Sequence, residues 1–180
     1  IMSTAKNSIQ KVNAKKKCET RLRKELSKLN KYLDTTQIKM SGRDWANIDF
    51  NKVTGPTLRI HKKAFQNLDK KGSQRTHNED RVMCAKNLKK YLQMGVEGKV
   101  VVKGKRVEMF KLVKDALNAT TTDDINLVNE QWKDNSSVND EMDHYIIPIS
   151  DTSSSMEIDD CIPMYNSIGF GIRISEKTHP

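Results

Sequence analysis

Aromatic residues are scarce: two Trp, four Tyr and four Phe in 180 positions. Without a supply of stacking platforms, sequence-specific reading of single-stranded bases is not favoured. Cysteine is equally thin. Cys18, Cys84 and Cys161 lie far apart and are odd in number, which argues against a disulfide framework or zinc-finger spacing and fits a reducing compartment. No apolar run approaches the ~20 residues of a membrane span, and no secretory apolar core stands near the start. The four histidines, at 61, 77, 144 and 179, lack metal-ligand spacing. No nucleophile is paired with a recognisable base, so enzymatic activity is not expected. Gly98-Lys99 and Gly104-Lys105 suggest a phosphate loop only superficially, because the spacing of a P-loop is missing.

Charge is what the chain has in quantity. Its net +9 divides sharply: residues 1–118 hold 29 Lys/Arg against 11 Asp/Glu, whereas residues 119–180 hold 3 against 12. Net values of +18 and −9 imply two regions that meet different partners, or each other. The chain begins Ile-Met and stops soon after its most informative motif, so a fragment of a larger protein is expected.

Residues from about Lys11 to Leu33 read as a long helix, with Cys18, Leu22, Leu26, Leu29 and Leu33 on one apolar stripe. Cys18, as an extension of that stripe, is expected in a core. Lys15, Lys16, Lys17, Arg21, Arg23, Lys24, Lys28 and Lys31 cover most of the remaining circumference. A solvated face would explain them, but +18 exceeds what solubility needs, and a phosphate backbone is the usual polyanion partner. Docking onto the acidic segment is the rival explanation.

Further helices are expected from Gly55-Pro56 onward, over Glu79–Met94, from Met109, and after the cap Thr121-Thr122-Asp123-Asp124. Val100-Val101-Val102 reads as a short strand or an extended connector. Residues 1–133 thus form a basic helical region, repeat-like in its succession of short helices, and 134–143 an acidic linker.

The segment 144–180 differs in kind. An apolar run from His144 to Ser150 leads directly into Asp151-Thr152-Ser153-Ser154-Ser155, followed by a helical stretch near Asp159–Ser175. A strand ending in Asp-x-Ser-x-Ser presents one carboxylate and two hydroxyls at a sheet edge. Asp151, Ser153 and Ser155 are hard oxygen donors suited to Mg²⁺, with Ca²⁺ or Mn²⁺ as alternatives. So few direct charges leave the ion electrophilic toward an acidic group on a partner protein. A Ser-rich turn is the bland reading of the same residues.

That motif resembles the first part of a metal-ion-dependent adhesion site. Together with Leu26–Leu33, Trp45–Val53, Cys84–Leu88 and Gln131-Trp132, it is similar to a family found in plants, bacteria, phages and large DNA viruses. Members join a helical region to a C-terminal von Willebrand A-like domain and are distantly similar to the TROVE-type Ro ribonucleoprotein. The family motif carries Gly where this chain has Ser154, and later loops supply a Thr and an Asp ligand. The resemblance implies a mainly α-helical N-terminal region followed by the start of an α/β von Willebrand A-like domain. It implies a non-enzymatic cytoplasmic scaffold that binds RNA or DNA and forms part of a larger assembly, without membrane association. The alternative is a structural, genome-associated component of a large virus particle, located in the virion, with a vestigial metal site.

Overall fold

The computed structural model describes residues 2–136 and 146–178, with side chains of the first helix described from Gln10 onward. The chain divides into two compact units, Ile1–Ile48 and Asp49–Pro180.

The first unit is dominated by α1 (Met2–Leu33). Lys, Arg, Glu and Leu side chains, none branched at Cβ, lose little rotamer freedom in a helix and no Pro or Gly interrupts them, so the local preference is strong. Asp34, at φ +48°, ends the run, and α2 (Thr36–Ser41) follows. Lys39 ties this corner together, with its ammonium 2.9 Å from Asp34 and 2.5 Å from the Asn47 carbonyl.

In the second unit the first helix starts after Thr54, whose hydroxyl accepts from the Thr57 N–H and caps α3 (Gly55–Ile60) with Pro56 in its first turn. The apolar spacing predicts one continuous helix here. His61 instead closes α3, and α4 (Lys62–Phe65) starts afresh before Asn67 turns into the left-handed region at φ +57°. Then come α5 (Glu79–Val96), α6 (Met109–Leu117) and α7 (Thr122–Asn135). Thr121 and Asp124 form a reciprocal capping box at the start of α7. The expected acidic linker therefore begins inside a helix at Asp134 and Asn135, and residues 137–143 lie outside the described residues.

The core is apolar and aromatic. Phe50 meets Phe65 edge-on at 5.4 Å and stacks on Tyr91 at 5.8 Å. Leu58, Cys84, Leu88, Leu92, Leu112 and Leu127 are buried with them. Two polar ties pin the short helices: Arg59 grips Asp115 of α6 through Nε and Nη2 at 2.5 and 2.9 Å, and Lys62 lies 2.8 Å from Asp124. Burial opposes ionisation of Asp124, but bonds from Lys62, Thr121 and Gln66 outweigh it and hold the carboxyl below its ordinary range.

One expectation requires correction. Residues 146–150, the described part of the strand read at 144–150, are extended but form no strand, and no strand occurs among the described residues. A strand exists through its ladder, and residues 146–150 form no ladder with any described residue. Ser150 instead donates its hydroxyl to the Ser167 carbonyl at 3.1 Å, and Gly171 leaves room for Ser150 and Pro148. Ile147 and Ile149 are 88% and 94% exposed. His144 and Tyr145 lie outside the described residues. The helix that follows, α8 (Ile158–Lys177), packs on α6 through Gly169, which meets Met109 and Val113. Its first turn is irregular: Asp159, Asp160 and Cys161 all have φ between 49° and 62°, so regular helix starts after Cys161.

Candidate functional site

Asp151, Ser153 and Ser155 lie between residues 146–150 and α8. Asp151 accepts the Ser153 backbone N–H on Oδ1 at 2.9 Å, an Asx-turn that folds the chain back on itself. The Ser153 and Ser155 hydroxyls are 2.9 Å apart. A single 3₁₀ turn, Ser154–Glu157, follows, closed by the Met156 N–H on the Ser153 carbonyl. The three residues chosen from the sequence therefore do converge in one exposed turn. Hydrogen bonds from the Ser153 backbone and side chain hold the Asp151 carboxyl below its ordinary range, keeping it anionic.

The donor set fits a hard divalent ion as a partial shell. One carboxylate and two neutral hydroxyls supply three oxygens, fewer than the six that Mg²⁺ takes, which suits an ion that keeps several waters. Among the described residues no cluster of three or more His, Cys, Asp or Glu side chains adds to it. Asp160, the nearest following carboxylate in α8 that is ion-paired, is engaged by Lys114.

The basic helix stands differently from its expectation. Every described α1 side chain from Gln10 to Leu33 is exposed except half-buried Asn30. Leu22, Leu26, Leu29 and Leu33 are 47–70% exposed, and Cys18, expected in a core, is exposed. The reason is physical: an amphipathic period reports a face able to bury itself, and does not supply the surface that covers it. Of the eight cations singled out, Lys28 pairs with Glu25 at 3.2 Å. Lys15, Lys16, Lys17, Arg21, Arg23, Lys24 and Lys31 make no ion pair among the described residues. At 3.6 residues per turn, all but Lys15 fall on the arc away from the leucines.

A third feature was missed by motif reasoning. Residues 101–107 form a connector whose backbone is clamped by side chains of α5 and α7. Tyr91 donates to the Val101 carbonyl at 3.1 Å, and Gln131 to the Lys103 carbonyl at 3.1 Å. Asn135 donates to the Gly104 and Val107 carbonyls at 3.1 and 2.9 Å. The Gly104 and Lys105 N–H groups both point at Asp134 Oδ2, at 2.6 and 3.0 Å. Val102 and Val107 are buried, and a Cβ on Gly104 would overlap the Gln131 carbonyl. The available signal was the alternation itself, with small or β-branched residues at 102, 104 and 107 between cations.

No family model and no solved structure matches this chain. Uncharacterized protein L728 of Acanthamoeba polyphaga mimivirus is 31% identical over 163 residues, which cover 87% of this chain and 26% of that protein. The chain thus spans about a quarter of the length of the curated relative it matches.

Proposed function

We propose that this chain is a non-enzymatic interaction module that binds the phosphate backbone of RNA or DNA through the cationic face of α1. The observation that carries this reading is that Lys16, Lys17, Arg21, Arg23, Lys24 and Lys31, on the arc away from the leucines, are exposed and lack an ion pair among the described residues. Such charge stores counterions whose release on meeting a polyanion drives association. Backbone contacts of this kind position a nucleic acid without reading its sequence.

The same proposal assigns Asp151, Ser153 and Ser155 to a Mg²⁺ ion, with Ca²⁺ or Mn²⁺ as substitutes, to which an acidic group of a partner protein would add a ligand. Support comes from the convergence of the three side chains and from the depressed Asp151 carboxyl. The order of extended apolar segment, oxygen-bearing turn and helix supports reading 146–177 as the start of a von Willebrand A-like α/β unit. A cytoplasmic scaffold within a larger assembly is the corresponding setting.

A structural role in a large virus particle is the second reading, favoured by the mimivirus relative. It predicts stoichiometric recovery with assembled particles. For the first reading, a labelled duplex oligonucleotide should bind the full chain at low salt. Replacing Lys16, Lys17, Lys24 and Lys31 by Gln should then weaken binding by at least about tenfold. Equal affinity of the two proteins would refute the assignment to α1.

A further inference from the structure

We infer that the clamped connector 101–107 is a second phosphate-backbone site, in which Lys103, Lys105 and Arg106 hold successive phosphates of a nucleic acid. The inference shares its ligand class with the proposed function, but it does not depend on α1.

The frame comes first. Val102, Gly104 and Val107 are buried, so Lys103, Lys105 and Arg106 emerge between fixed points and are exposed. Donors from Tyr91, Gln131 and Asn135 reach four carbonyls of the connector, and Asp134 takes two of its N–H groups. Gln131 also reaches the Gly55 carbonyl at 3.3 Å, so the start of α3 is held to the same frame. A backbone fixed this way loses little entropy when its side chains engage a ligand.

The charge is the second observation. Lys99, just before the connector, pairs with Glu97 at 2.6 Å. Lys103, Lys105 and Arg106 make no ion pair among the described residues. They rim a cleft of about 410 Å³ completed by Thr54, Gly55 and Asp134. A connector needed only to join α5 to α6 would be served by its buried residues and its clamp. Among the described residues these three cations within four positions have no ion pair and repel one another, and Asp134 is the acidic group in the described lining of the cleft.

The third observation concerns ligand class. Two successive backbone N–H groups converging on one carboxylate oxygen show that this turn already holds an anion, in the manner of a backbone nest. Asp134 fills the carboxylate position from within, which leaves the outward cations for anions from outside. A guanidinium beside two ammoniums suits phosphate oxygens, with Arg supplying the fork. Among the described residues no aromatic side chain lines the cleft, which favours contact to the backbone over base stacking.

The test uses the full chain and duplex-oligonucleotide anisotropy across a salt series. Replacing Lys103, Lys105 and Arg106 together by Gln should weaken binding about tenfold or more and reduce the salt slope by about 3, one per lost contact. Lys103→Arg with Lys105→Arg should retain binding, and Asp134→Asn, which removes the internal charge, should tighten it. The same oligonucleotide should shift the Gly104 and Lys105 amide resonances. Unchanged affinity and slope in the triple Gln variant would overturn the inference, and would do so even if the α1 Gln variant had lost binding. Amide shifts that saturate with inorganic phosphate alone, with no response to oligonucleotide, would also overturn it. An unaffected α1 variant beside a weakened triple variant would refute the α1 reading and leave this site standing.

Discussion

Gly104 shows how a single position can be decisive without announcing itself. Its missing side chain lets the connector press against the Gln131 carbonyl, where a methyl group would overlap backbone. Gly104→Ala should therefore cost about 2–4 kcal/mol, from overpacking and the loss of clamp hydrogen bonds. Urea unfolding monitored by circular dichroism measures this, and a change under 0.5 kcal/mol would contradict the packing described. Cys84 makes a complementary case. Burial pushes its thiol from an ordinary 9.0 up to about 11, and burial likewise raises Tyr91 to about 12. A raised folded value favours the native state fully below the unfolded value, and that contribution is lost as pH rises through the folded one. Stability from Cys84 is thus complete below pH 9.0 and disappears toward 11. Thiol labelling at pH 8 should modify exposed Cys18 readily and leave Cys84 untouched until the protein unfolds.

Asp151, Ser153 and Ser155 were legible as a group because strict alternation around a carboxylate is a local pattern, and a local Asx-turn brings the three together. Thermal melts with and without Mg²⁺ test what they do. The full chain should gain stability in Mg²⁺, and Asp151→Ala should abolish the gain; indistinguishable curves would remove the metal assignment. Cys18 was not legible in the same way. Its place on a stripe is a sequence property, whereas burial depends on what lies opposite.

At the scale of elements, helices α5, α6 and α7 were readable from apolar period and caps, and the capping box at Thr121–Asp124 formed as its sequence suggests. Two readings failed for a shared reason. The strand at 144–150 and the continuous helix after Gly55 both needed information from other parts of the chain. Pairing requires a neighbour, and His61 breaks the helix where α4 must turn so that Lys62 meets Asp124 and Arg59 meets Asp115. The exposed faces of α1 lead to a prediction of their own. A helix with its leucines about half in solvent has little tertiary packing to hold it, and its stability rests on propensity. Native-state hydrogen exchange should find the amides of Lys15–Leu29 opening far more readily than those of Leu88, Tyr91 and Leu92, which are buried core. Equal protection in the two segments would contradict an unpacked α1.

For the whole molecule, the division of charge is the property that organises the account. A strongly basic stretch to residue 118 and an acidic remainder were visible in composition. Which cations are already neutralised was not, because that depends on pairs such as Arg59–Asp115 and Lys62–Asp124, whose members are 56 and 62 residues apart in sequence by their numbering. Those pairs consume charge inside the second unit. Seven α1 cations and Lys103, Lys105 and Arg106 make no ion pair among the described residues, so the proposed polyanion binding is placed at two specific surfaces instead of in net charge in general.

The salt dependence of duplex binding by the full chain tests that claim most directly. Each phosphate neutralised contributes about −0.9 to the slope of log affinity against log salt. The slope should be steeper than about −4, made shallower by the α1 Gln variant and again by the Lys103, Lys105 and Arg106 variant. Absence of binding at low salt, or a slope that neither variant alters, would contradict it.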